Sequence, residues 1–193
     1  MQSLRELVSA DSSGAYTTDK DTTHSYIETY DSVLAEYQEK DVNILEIGNH
    51  HGGSIKLWSD YFKNASIFGI EIGERTGLRQ FDNIDNITIN ENTDAISFET
   101  IRMFEDLGVK FDIIIDDGSH HPAHQVFAAK FWSKFLKDDG IMIIEDVQNI
   151  EFCPYISDAF PIDFSNIETV DLRDKKGRFD DIMIIATKSG GAK

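Results

Sequence analysis

Cysteine, proline and positive charge are all scarce in this 193-residue chain, and each shortage excludes something. A single cysteine, Cys153, rules out an internal disulfide and a cysteine-built zinc cage, and it fits a reducing compartment. With three prolines and no Pro/Ser-rich linker, nothing marks a domain boundary, so one domain over residues 1–193 is expected. The opening MQSLRELVSADSSG lacks the apolar stretch of a signal peptide, and no apolar run approaches the ~20 residues of a membrane span. Only 18 Lys and Arg face 35 Asp and Glu, a formal net charge of −17, which argues against nucleic acid or an anionic membrane as partner. The expectation is a cytoplasmic protein. Apolar residues are not lacking: 40% hydrophobic and 11% aromatic content suffices for a core.

Those apolar residues fall in short runs. VNILEIG (42–48), SIFGIEI (66–72), ITIN (87–90), FDIIIDD (111–117) and IMIIEDV (141–147) do not alternate with polar residues, as expected of parallel strands covered on both faces. Helical spacing fills gaps between them. Tyr26, Ile27, Tyr30, Val33, Leu34 and Tyr37 predict a helix over 24–39; similar patterns cover 95–107 and 122–136, the last opening with Pro122. Residues 167–188 read as two strands joined around Lys175–Gly177 with no helix between, an antiparallel hairpin. The predicted architecture is an α/β fold with helices on both faces of a parallel sheet that ends in that hairpin. It has a helical N-terminal segment (1–41) and an α/β core (42–193).

In such sheets ligands sit beyond the carboxyl ends of the strands. The first tip, LEIGNHHGGS (45–54), has the spacing G-x-x-x-G-G rather than the dinucleotide G-x-G-x-x-G; Gly48 suits a tight turn, and Gly52 and Gly53 a close backbone approach. At the second tip Glu71 can accept both hydroxyls of a ribose, or be a solvated charge at a strand end. At the third, Asp94 can cap the next helix or receive an adenine amino group.

The fourth tip, IIIDDGSHHPAH (113–124), sets Asp116 and Asp117 just before Ser119, His120, His121 and His124, and the fifth adds Glu145 and Asp146. Carboxylates this close repel one another unless a cation intervenes, and an oxygen-rich set selects Mg²⁺, with Mn²⁺ as the other candidate. Asp117, Glu145 and Asp146 are the expected ligands, against the alternative that some of them cap helices. His120, three residues beyond Asp117, can take a proton from a hydroxyl held in the site. His121 and His124 are rival bases, although His124 more readily reads as packed or capping. Five histidines (His50, His51, His120, His121, His124) near two tips leave a zinc site as an alternative, without HExxH or another compact ligand spacing.

These motifs carry a resemblance. Glu46–Gly48 with Gly52 and Gly53, then Glu71, then Asp94, resemble the S-adenosylmethionine (SAM) series of the class I methyltransferases, whose Rossmann-like fold the strand outline also resembles. The resemblance implies SAM as cofactor, with Glu46, Gly48, Gly52, Ser54, Glu71, Asp94 and Asp116 as cofactor-binding candidates. Asn49–His50–His51 departs from it, being bulky where many relatives have another glycine. DDGSHH, IIEDV and TDKDTTHSY (18–26) narrow the resemblance to the metal-dependent O-methyltransferases of rhamnose-like and macrolide-attached deoxysugars. That family implies Mg²⁺ on Asp117, Glu145 and Asp146, His120 as base, and a sugar hydroxyl on a small molecule or glycan as acceptor.

Two segments stay open. Asp19, Lys20, His24 and Tyr26 could form a lid over the SAM pocket, or an N-cap and exposed helix face. The aromatic stretch 149–166 could wall a sugar ring or join subunits of a homo-oligomer. Competing readings are an NAD-dependent oxidoreductase and an inactive nucleotide-binding domain of a larger assembly.

Overall fold

The computed structural model describes residues 2–74 and 76–190. Seven strands form one sheet in the order β3-β2-β1-β4-β5-β7-β6. They are β1 (Asp41–Ile47), β2 (Asn64–Ile70), β3 (Ile87–Asn90), β4 (Phe111–Asp116), β5 (Leu136–Ile144), β6 (Phe164–Asp171) and β7 (Ile182–Lys188). β1 to β5 run parallel; β7 runs antiparallel to β5 and β6 antiparallel to β7. The chain thus reverses only at its hairpin, and β7 inserts between β5 and β6.

Successive side chains leave a strand on opposite faces, which divides the core in two. Ile113 and Ile115 of β4 pack with α2 (Ile27–Leu34) and α3 (Gly53–Tyr61), while Ile114 packs with α4 (Phe98–Leu107) and α5 (Pro122–Phe131). α1 (Leu4–Ala10) joins the first layer through Leu4 and opens with a capping box, in which Ser3 and Glu6 satisfy each other's backbone N–H groups.

Several boundaries differ from the sequence expectation. The helix predicted over 122–136 ends at Phe131, and a tight turn over Trp132–Phe135 leads into β5. α3 went unread, and the hairpin is not free of helix: α7 (Arg173–Lys176) makes one turn before Gly177. The 149–166 stretch is partly core, since Cys153, Ile156 and Phe160 are buried while Tyr155 and Ile162 face outward. Its first half coils into a short turn and α6 (Cys153–Ser157). Among the described residues no helix is long and apolar enough to cross a membrane.

Candidate functional site: a cavity beside a buried carboxylate cluster

The parallel register brings the tips of β1, β2, β4 and β5 together, and backbone bonds lock the loops beyond them. Gly48 N–H donates to Ile70 O (2.9 Å), Asp117 N–H to Ile47 O (2.9 Å) and Glu145 N–H to Asp116 O (2.9 Å). Gly48 has φ +84°, and a Cβ there would lie 2.0 Å from the Asp117 carbonyl oxygen, so only glycine fits. Gly52 and Gly53 answer to chain packing: their Cβ atoms would come 2.5 Å from the Phe81 ring and 2.5 Å from the Thr17 backbone respectively.

A cavity of about 550 Å³ opens beyond these tips, lined in part by Gly48, Glu71, Asp94, Asp116, His120 and Trp132. Glu71 ties two loops together, its Oε2 accepting from the backbone N–H groups of Asn49 (3.0 Å) and His50 (2.8 Å). Asp94 also lines the cavity, its Oδ1 accepting from Ile96 N–H (2.9 Å), while the cap of α4 is Ser97, which accepts from Glu99 N–H (3.1 Å). Burial pushes the Asp116 carboxyl up to about 7, despite a bond from Gly118 N–H. Glu46, Gly52 and Ser54 do not line this cavity. Glu46 lies behind it in the core, accepting from Ser54 Oγ (2.7 Å) and Trp58 Nε1 (3.1 Å), and burial raises it to about 7.

Beside the cavity lies the carboxylate cluster. Asp117 Oδ1, Asp146 Oδ2 and His120 Nε2 converge, with the imidazole nitrogen 3.3 Å and 3.5 Å from the two oxygens. One atom from each of the three residues falls within 4.8 Å of the others, a spacing that a single ion can span. Glu145 stands apart from that trio, its Oε1 taken by Lys20 Nζ (2.8 Å) and Tyr30 OH and its Oε2 by Lys20 Nζ (2.9 Å). Both His120 (φ +56°) and Asp146 (φ +54°) hold left-handed backbone conformations, which cost a non-glycine residue of order 1 kcal/mol or more. Such strain persists only where surrounding contacts enforce it.

Around Asp146 and its acidic neighbours those contacts come from residues 18–30. Tyr26 OH donates to Asp146 Oδ1 (2.6 Å) and receives the Asp146 backbone N–H (3.3 Å). His24 stacks on Tyr26, and its Nδ1 lies 3.2 Å from Asp146 Oδ1 and 3.4 Å from Asp181 Oδ1 without hydrogen-bond alignment. Lys20 is fully buried, with Nζ also 2.7 Å from Asp117 Oδ2 and 3.9 Å from Glu46 Oε1. Burial alone would depress the Lys20 ammonium, yet Asp117, Glu145 and Glu46 outweigh it and hold its pKa well above the ordinary value. Burial likewise raises Glu145 and Asp146, whereas for Asp117 Lys20 and His120 reverse the effect and lower it. His120 is raised, because Asp117 and Asp146 outweigh its burial.

Residues 19–26 do not line the cavity and pack on the carboxylates instead. The other histidines separate as well. His121 caps α5, its Nδ1 accepting from Ala123 N–H (3.3 Å), and His124 Nδ1 pairs with Ser119 Oγ (2.6 Å). Among the described residues the metal-competent group contains one histidine, so the five-histidine zinc arrangement is not assembled. The roles of Lys20 and Tyr30 were missed. A tyrosine on a helix face that otherwise reads as core was the available signal, since a buried phenol needs a polar partner.

No family model matches the chain. It is similar to two Streptomyces olivaceus enzymes of tetracenomycin. One is 8-demethyl-8-(2-methoxy-alpha-L-rhamnosyl)-tetracenomycin-C 3'-O-methyltransferase, 33% identical over 138 residues, 68% of this chain and 34% of the relative. The other, 8-demethyl-8-alpha-L-rhamnosyl tetracenomycin-C 2'-O-methyltransferase, is 28% identical over 152 residues, 75% of this chain and 39% of the relative. The chain thus spans well under half the length of these relatives. Among solved structures it is similar to the MycE methyltransferase of the mycinamycin pathway, in complex with Mg, SAH and mycinamycin VI. That match has a TM-score of 0.74 and 21% identity, covering 98% of this chain and 55% of that one. Methanococcus jannaschii fibrillarin pre-rRNA processing protein matches with a TM-score of 0.60 and 20% identity over 80% of this chain and 70% of that one. The expected fold is met: this is a Rossmann-like class I methyltransferase fold, and the chain is a homologue of sugar O-methyltransferases.

Proposed function

We propose that the chain is a SAM- and Mg²⁺-dependent O-methyltransferase that acts on a hydroxyl of a rhamnose-like deoxysugar carried by a small molecule or glycan. The observation that carries this reading is the convergence of Asp117, His120 and Asp146 beside a cavity of about 550 Å³ whose volume and largely apolar wall with a few polar groups suit a nucleoside cofactor. The rhamnosyl and macrolide acceptors named for the relatives, and the Mg and SAH bound by MycE, support it.

The donor set fits a hard divalent cation: Asp117 Oδ1 and Asp146 Oδ2 would hold it on the cavity side, with Glu145 behind them. When bound, Mg²⁺ lowers the pKa of a coordinated hydroxyl, and SAM supplies a methyl group on a sulfonium. Gly48, Glu71, Asp94 and Asp116 would line the cofactor's site. His120 takes the hydroxyl proton at Nε2. The strand tips would orient the hydroxyl toward the methyl donor, and such alignment is itself a large part of catalysis.

Calorimetric titration with SAM, with and without Mg²⁺ and beside an NAD⁺ control, tests the reading. SAM binding without NAD⁺ binding, followed by Mg²⁺-dependent methylation of rhamnose-containing acceptors, is expected. Binding of NAD⁺ alone, or of neither, would replace it with the oxidoreductase or inactive-domain reading.

A further inference from the structure

We propose that Lys20 is the resident counter-cation of this site, a positioning residue that divides the buried carboxylate oxygens into one set facing its ammonium and another facing His120 at the cavity's edge. The inference rests on the divalent-cation reading given above. Its basis is how the carboxylate oxygens are shared out. Lys20 Nζ engages Asp117 Oδ2 at 2.7 Å and both Glu145 oxygens at 2.8 and 2.9 Å, with Glu46 Oε1 at 3.9 Å. Tyr30 OH adds a second bond to Glu145 Oε1. Asp117 Oδ1 and Asp146 Oδ2 are left turned toward His120. Asp117 is thus shared, with one oxygen on the lysine and the other turned to His120, which lines the cavity.

Lysine is almost never buried unless paired, and one that touches three acids has a specific charge to balance. Glu46, Asp117, Glu145 and Asp146 crowd into a space from which water is largely excluded. Their repulsion would otherwise have to be met by protonation or by a bound cation. One fixed ammonium meets part of it permanently. The consequence is a site assembled before any metal arrives, whose divalent affinity is limited by the positive charge already present.

The chain secures this residue from outside. Tyr26 N–H donates to Lys20 O (3.0 Å), and both Thr23 and His24 N–H groups donate to Asp19 O (2.9 Å each), closing the segment on itself. Lys176, in the turn before β7, reaches over it with Nζ donating to the carbonyls of Asp21 and His24.

The test is thermal unfolding and Mg²⁺ calorimetry on the full chain for wild type, Lys20→Met and the double variant Lys20→Met/Glu145→Gln, in EDTA and in Mg²⁺. In EDTA, Lys20→Met is expected to lose about 10 °C in Tm, the usual scale for one partner removed from a buried ion pair in a domain this size. Mg²⁺ should restore much of that loss, and the variant should bind Mg²⁺ roughly tenfold more tightly than wild type, about 1.4 kcal/mol. The double variant, one negative charge fewer, should recover stability in EDTA without metal. An unchanged Tm and Mg²⁺ response in Lys20→Met would overturn the proposal. So would a double variant no better folded than the single one, which would assign Lys20 a packing role only. The EDTA arm reads Lys20 alone, whereas a wild type that binds neither Mg²⁺ nor SAM would overturn the functional reading instead.

Discussion

The cavity and the carboxylate cluster share the same strand tips but are held in different ways. The cavity side is fixed by short-range backbone geometry: a left-handed Gly48, an Asx turn at Asp94, and Glu71 clasping the loop of the neighbouring strand. The cluster is fixed by side chains that reach it from far along the chain. Lys20 bonds Asp117 across 97 residues, Tyr30 bonds Glu145 across 115, and Tyr26 bonds Asp146 across 120. A cavity can be shaped by the loops of adjacent strand tips alone. A concentration of like charge needs partners brought in to offset it, and those come from whichever segment the fold lays alongside.

If that division is real, substitutions should injure one side and spare the other. The largest effect is expected from His120→Ala, which should cut turnover 10²-fold or more, the usual contribution of a positioned base, while SAM affinity stays within about twofold. Undiminished turnover in that variant would take the proton away from His120.

Asp116→Asn probes the opposite side. Burial pushes the wild-type carboxyl up to about 7 from an ordinary value of 3.8, so the folded state keeps a proton that the unfolded state releases between those values. Wild-type stability should therefore fall, relative to the variant, as pH rises through that window. The variant should be the more stable by up to a few kcal/mol above pH 7 and lose its advantage below about pH 4. It should also bind SAM more weakly at pH 8, with unchanged Mg²⁺ affinity. Denaturant unfolding at pH 4, 6 and 8 checks the first expectation, and a flat difference across the series would contradict it.

The smallest effect tests the link between the two regions. Tyr26→Phe removes one hydrogen bond to a charged group and should cost about 1.5–3 kcal/mol of stability. If Tyr26 acts by holding Asp146, Mg²⁺ affinity should fall severalfold with SAM affinity in the absence of metal unchanged. Loss of both would mean that the tyrosine merely supports the fold.

The same division explains what the sequence disclosed. Four of the parallel strands lie within three residues of their expected bounds, because they show as short apolar runs bounded by polar or glycine residues. α3 escaped because its polar stripe is only Lys56, Ser59 and Asp60 in a helix of nine residues, too short a pattern to mark it as a helix. The convergence of Asp117, His120 and Asp146 was legible because strand tips meet wherever the sheet is parallel. Lys20 was not, since a lone lysine in TDKDTTHSY looks solvated until residues 97 and 125 positions away are known to surround it. His124 reads from sequence as packed or capping, whereas the cap is His121, three residues earlier at the helix start, where sequence signals are weakest.

The two tryptophans stand one on each side of this boundary. Trp132 lines the cavity, and Trp58 donates its indole N–H to Glu46 Oε1 at the edge of the lysine's carboxylate set. Each indole is therefore a native optical probe of a different ligand. With Trp58→Phe and Trp132→Phe variants, cofactor and cation occupancy become separately readable by emission in one cuvette, without label or coupled assay.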